Sequence, residues 1–145
     1  MKPAIVKELP YLLSVNASQN QLEQAEIFDD PEKLKYLQMA NLAQNQMKEL
    51  PPVLLKSLYS LNLSANQIAS AARFTGHDTL KIIELRKNKL VNFVGIKNMP
   101  HLEELYAAEN EITSLQGLED LPALRKLHVR KNPVNMLPKS YRSQS

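Results

Sequence analysis

A chain of 145 residues with 43% hydrophobic content is long enough to bury one continuous core, which excludes a disordered tail or linker. It has no cysteine, no tryptophan and three glycines against nine prolines, which excludes a disulfide-stapled module and a glycine-rich phosphate loop and fits a reducing compartment. The formal charge of +3 is too small to imply nucleic acid, no apolar run reaches membrane-spanning length, and Lys7, Glu8 and Pro10 interrupt any signal-peptide core at the start.

One asparagine recurs with the same neighbours, at Asn20, Asn45, Asn66, Asn88, Asn110 and Asn132, in steps of 25, 21, 22, 22 and 22 residues. Apolar residues hold the positions eleven, eight, five and three before it and two after it. In chain order, the first coil (about 9–33) supplies Leu9, Leu12, Val15, Ala17 and Leu22, and its stretch Ala25–Lys33 adds residues that should bulge locally. The second (34–54) supplies Leu34, Leu37, Ala40, Leu42 and Met47, and its Leu50, Pro51 and Pro52 suit an extended return. The third (55–76) has Leu55, Leu58, Leu61, Leu63 and Ile68. In the fourth (77–98), His77 stands at a leucine position ahead of Leu80, Ile83, Leu85 and Leu90, and is expected to be a partly buried edge residue. The fifth (99–120) has Met99, Leu102, Leu105, Ala107 and Ile112, and the sixth (121–142) has Leu121, Leu124, Leu127, Val129 and Val134. Both ends look uncapped, which points to a piece of a longer solenoid or to ends covered by partners, with the polar Tyr141–Ser145 mobile unless docked.

The alternation around the middle leucines has period two and predicts one short strand per coil, its apolar side chains inward and its neighbours in parallel register. The asparagine falls where the chain turns, where an amide both donates to and accepts from buried backbone groups. Asn20, Asn45, Asn66, Asn88, Asn110 and Asn132 are therefore read as an architectural ladder rather than as ligands. The whole pattern, L-x-x-L-x-L-x-x-N-x-L, resembles leucine-rich repeats. That resemblance implies an α/β fold: a right-handed solenoid of six repeats forming a single domain, with a parallel concave sheet and short 3-10 or irregular convex segments. Asn88 to Met99 and Asn110 to Leu121 both fit N-x-I-x-x-I-x-G-L-x-x-L, which resembles the repeats of the protein-phosphatase regulator class with a 3-10 turn on the convex side; Gly95 and Gly117 would give that corner its backbone freedom.

Residues at equivalent strand positions form lanes about 4.8 Å apart across the sheet. Four before the asparagine the lane reads Asn16, Asn41, Asn62, Glu84, Tyr106, His128; two before it, Ser18, Ala43, Ser64, Arg86, Ala108, Arg130; six before it, Ser14, Met39, Ser60, Ile82, Glu104, Lys126. The first three strands thus present mainly small uncharged polar groups and the last three present charge. The candidate partner-binding surface is Glu84, Arg86, Glu104, Tyr106, Lys126, His128 and Arg130, with Tyr106 and Arg86 as anchors because such residues dominate binding hot spots.

His77, His101 and His128 occupy different repeat positions without cysteines or paired carboxylates at ligand spacing, so no metal site is expected. No nucleophile, base and orienting carboxylate can be assembled from the lanes, so neither catalytic residues nor a cofactor nor a small-molecule substrate is expected. Basic Arg86, Lys87, Lys89, Arg125, Lys126, Arg130 and Lys131 are interrupted by Glu109 and Glu111 and lack interleaved aromatics, which favours a charged protein partner, such as an acidic tail, over nucleic acid.

Ile83 to Asn132, through E-L-R-K-N-K-L, G-I-K-N-M-P-H-L-E-E-L-Y-A-A-E-N, G-L-E-D-L and L-H-V-R-K-N, resembles the family of the axonemal leucine-rich repeat-containing protein numbered twenty-three, found in radial spokes of motile cilia. Pro133, Tyr141 and Arg142 match the N-P and Y-R elements that open that family's terminal cap, whereas its acidic N-terminal tail and completed cap have no counterpart. The resemblance implies a non-catalytic scaffold in the cytoplasm and cytoskeleton of the cilium, binding axonemal and radial-spoke proteins and not membranes. The competing readings are a regulatory subunit gripping a protein phosphatase and a ribonucleoprotein scaffold.

Overall fold

A computed structural model describes residues 9–135. Six three-residue strands, β1 (Ser14–Asn16), β2 (Met39–Asn41), β3 (Ser60–Asn62), β4 (Ile82–Glu84), β5 (Glu104–Tyr106) and β6 (Lys126–His128), form one sheet in sequence order. Every neighbouring pair is parallel, and the central residues align as Val15, Ala40, Leu61, Ile83, Leu105 and Leu127. This is the parallel-sheet solenoid implied by the repeat. The strands are short because only three residues alternate before the chain turns; backbone bonds such as Leu63 N–H to Glu84 O (2.8 Å) and Ala65 N–H to Arg86 O (2.8 Å) carry the pairing past the strand ends.

Behind the sheet lies one core running the length of the coils. Leu34, Leu37, Leu55, Leu58, Leu61, Leu63, Leu80, Ile83, Leu85, Leu102 and Leu105 are fully buried, each worth about 1.5–3 kcal/mol of transfer free energy. The outer coils bury less. Leu9 is 51% exposed despite its leucine position, and Leu12, Val15, Leu124, Leu127 and Val129 are only partly buried, because each has a packed tier on one side.

The asparagines form the predicted ladder. Asn88 Nδ2 donates to Leu63 O, Leu85 O (3.0 Å each) and Arg86 O (3.2 Å), while its Oδ1 accepts the Ile68 N–H (3.0 Å). Asn45, Asn66, Asn110 and Asn132 repeat this set one coil at a time, and Asn20 Nδ2 donates to Ala17 O (2.9 Å) and Ser18 O (3.1 Å). The residue just before each asparagine, Gln19, Gln44, Ala65, Lys87, Glu109 or Lys131, is left-handed with φ between 56° and 60°. That turn reverses the chain and swings the amide under the bend, at a steric cost the ladder must offset. Among the described residues no buried polar side-chain atom lacks a partner.

On the convex side, 3-10 turns occupy Glu26–Phe28 and Leu118–Asp120. The expected turn of the fourth coil is reduced to one bond of that type, Ile96 N–H to Phe93 O (3.0 Å). Gly95 and Gly117 are left-handed at φ 97° and 98°, as their corners require. At Gly95 a Cβ would lie 1.8 Å from Ala71 O, so the glycine also permits backbone contact between successive coils. The extra residues of the first coil bring Phe28 into the core as a fully buried plug, and the Leu50–Pro52 return holds neither helix nor turn, with Glu49 bridging Ser70 in parallel just before it. Tyr141, Arg142 and the close of the sixth repeat lie outside the described residues.

His77 corrects an expectation. It is 8% exposed, a core residue rather than an edge one. Its Nδ1 accepts the Thr79 and Leu80 N–H groups (3.1 Å each), and Nε2 faces Leu55 O at 2.8 Å, so the ring is neutral with its proton on Nε2. Burial holds its pKa below the ordinary value, against the opposing pull of the Leu55 carbonyl and Asp78. Leucine can fill this space but cannot pair those two amides.

Candidate functional site: the concave face

The strand register places the candidate residues on one surface. Glu104 and Lys126 are partners in one lane, Glu84, Tyr106 and His128 are consecutive in the next, and Arg86, Ala108 and Arg130 follow just past the strand ends. Tyr106 stands at the centre of the group. Its ring meets His128 edge to face (centroids 4.8 Å, planes at 83°), the Arg86 guanidinium lies 5.2 Å from the ring centroid, and its hydroxyl donates to Glu104. That hydrogen bond, with desolvation and the nearby carboxylates, raises the Tyr106 pKa above the ordinary phenol value. Arg86 is also ion-paired to Glu84 two residues earlier on the same face.

The seven residues thus divide. Glu84, Arg86, Glu104, Tyr106 and His128 form one linked cluster on β4 to β6, whereas Lys126 and Arg130 are exposed and make no ion pair among the described residues. Lys126 faces Glu104 in register, yet the salt bridge at that edge joins Arg125 and Glu103 (2.8 Å). A depression of about 550 Å³ borders the cluster, running from Asn62 and Ser64 across Arg86 and Ala108 to His128 and Arg130.

On the first three strands the lane asparagines fold back onto the main chain. Asn16, Asn41 and Asn62 use their Oδ1 atoms to accept the N–H two residues on (3.0 Å each). Beside them the rim is apolar: Tyr11 and Tyr36 stack at 5.9 Å, and Tyr11, Leu13, Tyr36 and Met39 are all exposed. Tyr11 and Tyr36 lie nine before their asparagines, ahead of the strands and so outside the lanes. The aromatic repetition at one offset was the available signal.

Among the described residues no group of three His, Cys, Asp or Glu side chains is placed to hold a metal ion. No helix there is long and apolar enough to cross a membrane.

Residues 100–139 match the sequence model of a family described as leucine-rich repeats in two copies. No curated protein matches the chain. Solved structures do: the leucine-rich repeat domain of APL1 (TM-score 0.61, 22% identity, 83% of this chain and 37% of that one), the LRIM1/APL1C complex (0.64, 24%, 89% and 28%) and the leucine-rich repeat domain of APL1B (0.65, 23%, 90% and 45%). The chain therefore spans less than half the length of each of these. By its repeat, its sheet and these likenesses, the chain is a leucine-rich repeat solenoid.

Proposed function

We propose that the chain is a non-catalytic scaffold that docks partner proteins on its concave face, and that it serves in the radial spoke of the ciliary axoneme. The observation that carries the docking reading is the Arg86–Tyr106–His128 cluster. The Tyr106 ring on β5 and the Arg86 guanidinium just past β4 are held together by their neighbours, so less side-chain freedom remains to be lost on binding. The similar LRIM1/APL1C structure, itself a complex of two proteins, is consistent with such a role. Placement in the cytoskeleton of the cilium rests on the resemblance of Ile83 to Asn132 to the axonemal family.

The test is affinity purification of the tagged chain from ciliated cells followed by mass spectrometry, with Tyr106→Ala as the paired bait. Radial-spoke and microtubule proteins that are depleted with the variant support the proposal. A protein set without axonemal members rejects the ciliary placement, and partners indifferent to Tyr106→Ala reject the concave face.

A further inference from the structure

Resting on the concave-docking reading, we propose that the notch over Ala108 is a carboxylate-binding site, and that the segment docked there is an acidic stretch of a partner protein. Arg86 and Arg130 occupy the same lane on the two strands flanking Ala108, so their Cα atoms are separated by two strand spacings, roughly 10 Å. Between them Ala108 lines the same depression with a small side chain that is itself almost wholly covered, at 4% exposure. A carboxylate entering that gap is within reach of both guanidiniums, whose planar donor sets match its two oxygens.

The surrounding polar groups are biased toward donors. Arg130 and Lys87 border the depression without an ion pair among the described residues, and Asn62 lines it with its amide oxygen already engaged by backbone. On the acceptor side, Glu84 is held by Arg86 and Glu104 by the Tyr106 hydroxyl; Glu109 is the remaining carboxylate at the depression. A segment rich in aspartate and glutamate supplies acceptors for the unspent donors.

A nucleic acid fits the same charges less well. Base stacking needs an open aromatic face, and Tyr106, the aromatic of this lane, is already flanked by Arg86 and His128. Glu84 and Glu109 would also lie against a continuous phosphate chain, whereas spaced carboxylates avoid them.

The experiment is fluorescence anisotropy of the full chain with a labelled decaglutamate peptide, against decaglutamine and an oligouridylate of equal length. Arg130→Glu is the site variant, and Lys97→Glu, an equal charge reversal at an exposed convex residue, is the control. Decaglutamate is expected to bind and to weaken with added salt, decaglutamine to stay free, and Arg130→Glu to raise Kd at least about tenfold while Lys97→Glu changes it less than about twofold. Circular dichroism confirms that both variants fold. Absence of decaglutamate binding, equal losses in the two variants, or tighter binding of the oligouridylate overturns the notch. If partners recovered by affinity purification depend on Tyr106 but not on Arg130, the concave reading stands and the notch alone falls.

Discussion

Replacing Asn88 by alanine removes four hydrogen bonds, but they are not equivalent. The Leu63 and Leu85 carbonyls keep the amides of Asn66 and Asn110, at 3.0 and 2.9 Å, and Arg86 O keeps the Ala65 N–H at 2.8 Å. Only the Ile68 N–H loses its sole acceptor, and Ile68 is fully buried. One orphaned buried donor costs about 1–3 kcal/mol, so Asn88→Ala is expected to lose that amount in urea unfolding followed by circular dichroism. Asn88→Asp separates donor from acceptor. It preserves an acceptor for Ile68 but turns the second oxygen toward three carbonyls, and should destabilise more than alanine. An alanine variant within about 0.5 kcal/mol of wild type, or an aspartate variant more stable than the alanine one, refutes the account of the ladder.

Gly95→Ala sets a Cβ against the Ala71 carbonyl and should cost several times the effect of Gly117→Ala, which meets nothing within 4 Å and carries only the left-handed strain of about 1–2 kcal/mol; thermal melts of the pair give the comparison. His77, with its lowered pKa, binds a proton more readily in the unfolded chain. Its contribution is complete above about pH 6.5 and lost as pH falls through that value toward the lower folded one, so stability should decline as the solution is acidified below neutrality, and His77→Leu should flatten the slope at a cost to stability at pH 7. An unchanged slope in that variant would falsify the assignment. Tyr106→Ala should leave the melting temperature nearly unchanged and weaken partner binding; equal losses would make the ring structural. In ultraviolet titration Tyr106 should ionise above the ordinary phenol value, and Glu104→Gln should bring it back down.

The core and ladder were legible because each rests on a period: leucines at fixed offsets, and one amide per coil whose partners are backbone atoms identical in every repeat. The lanes were legible for the same reason, since constant coil length fixes register, and this placed Tyr106 beside His128 and Arg86 near both. What the sequence concealed depends on contacts that do not repeat. His77 looked like a defect in the leucine pattern, and only the positions of the Thr79 and Leu80 amides explain a buried imidazole. The tyrosine stack of Tyr11 and Tyr36 spans two coils of unequal length ahead of the strands, and Phe28 enters the core from an insertion with no counterpart elsewhere. The division of the charged residues into an interlinked set and the unpaired Lys126 and Arg130 required side-chain geometry as well.

Each amide from Asn45 onward satisfies a donor belonging to the coil before it, as Asn66 does for Met47 and Asn110 for Leu90. The clasp is therefore directional. Detaching a coil from the C-terminal side strips a side-chain oxygen from the main chain before it, whereas detaching one from the N-terminal side takes a main-chain carbonyl from the N–H that follows the asparagine, as Met47 O from Gln67 and Leu90 O from Glu111. Two ends with similar leucines should consequently unravel at different rates, and an optical-trap experiment pulling from either terminus would register that asymmetry as two unequal rupture forces.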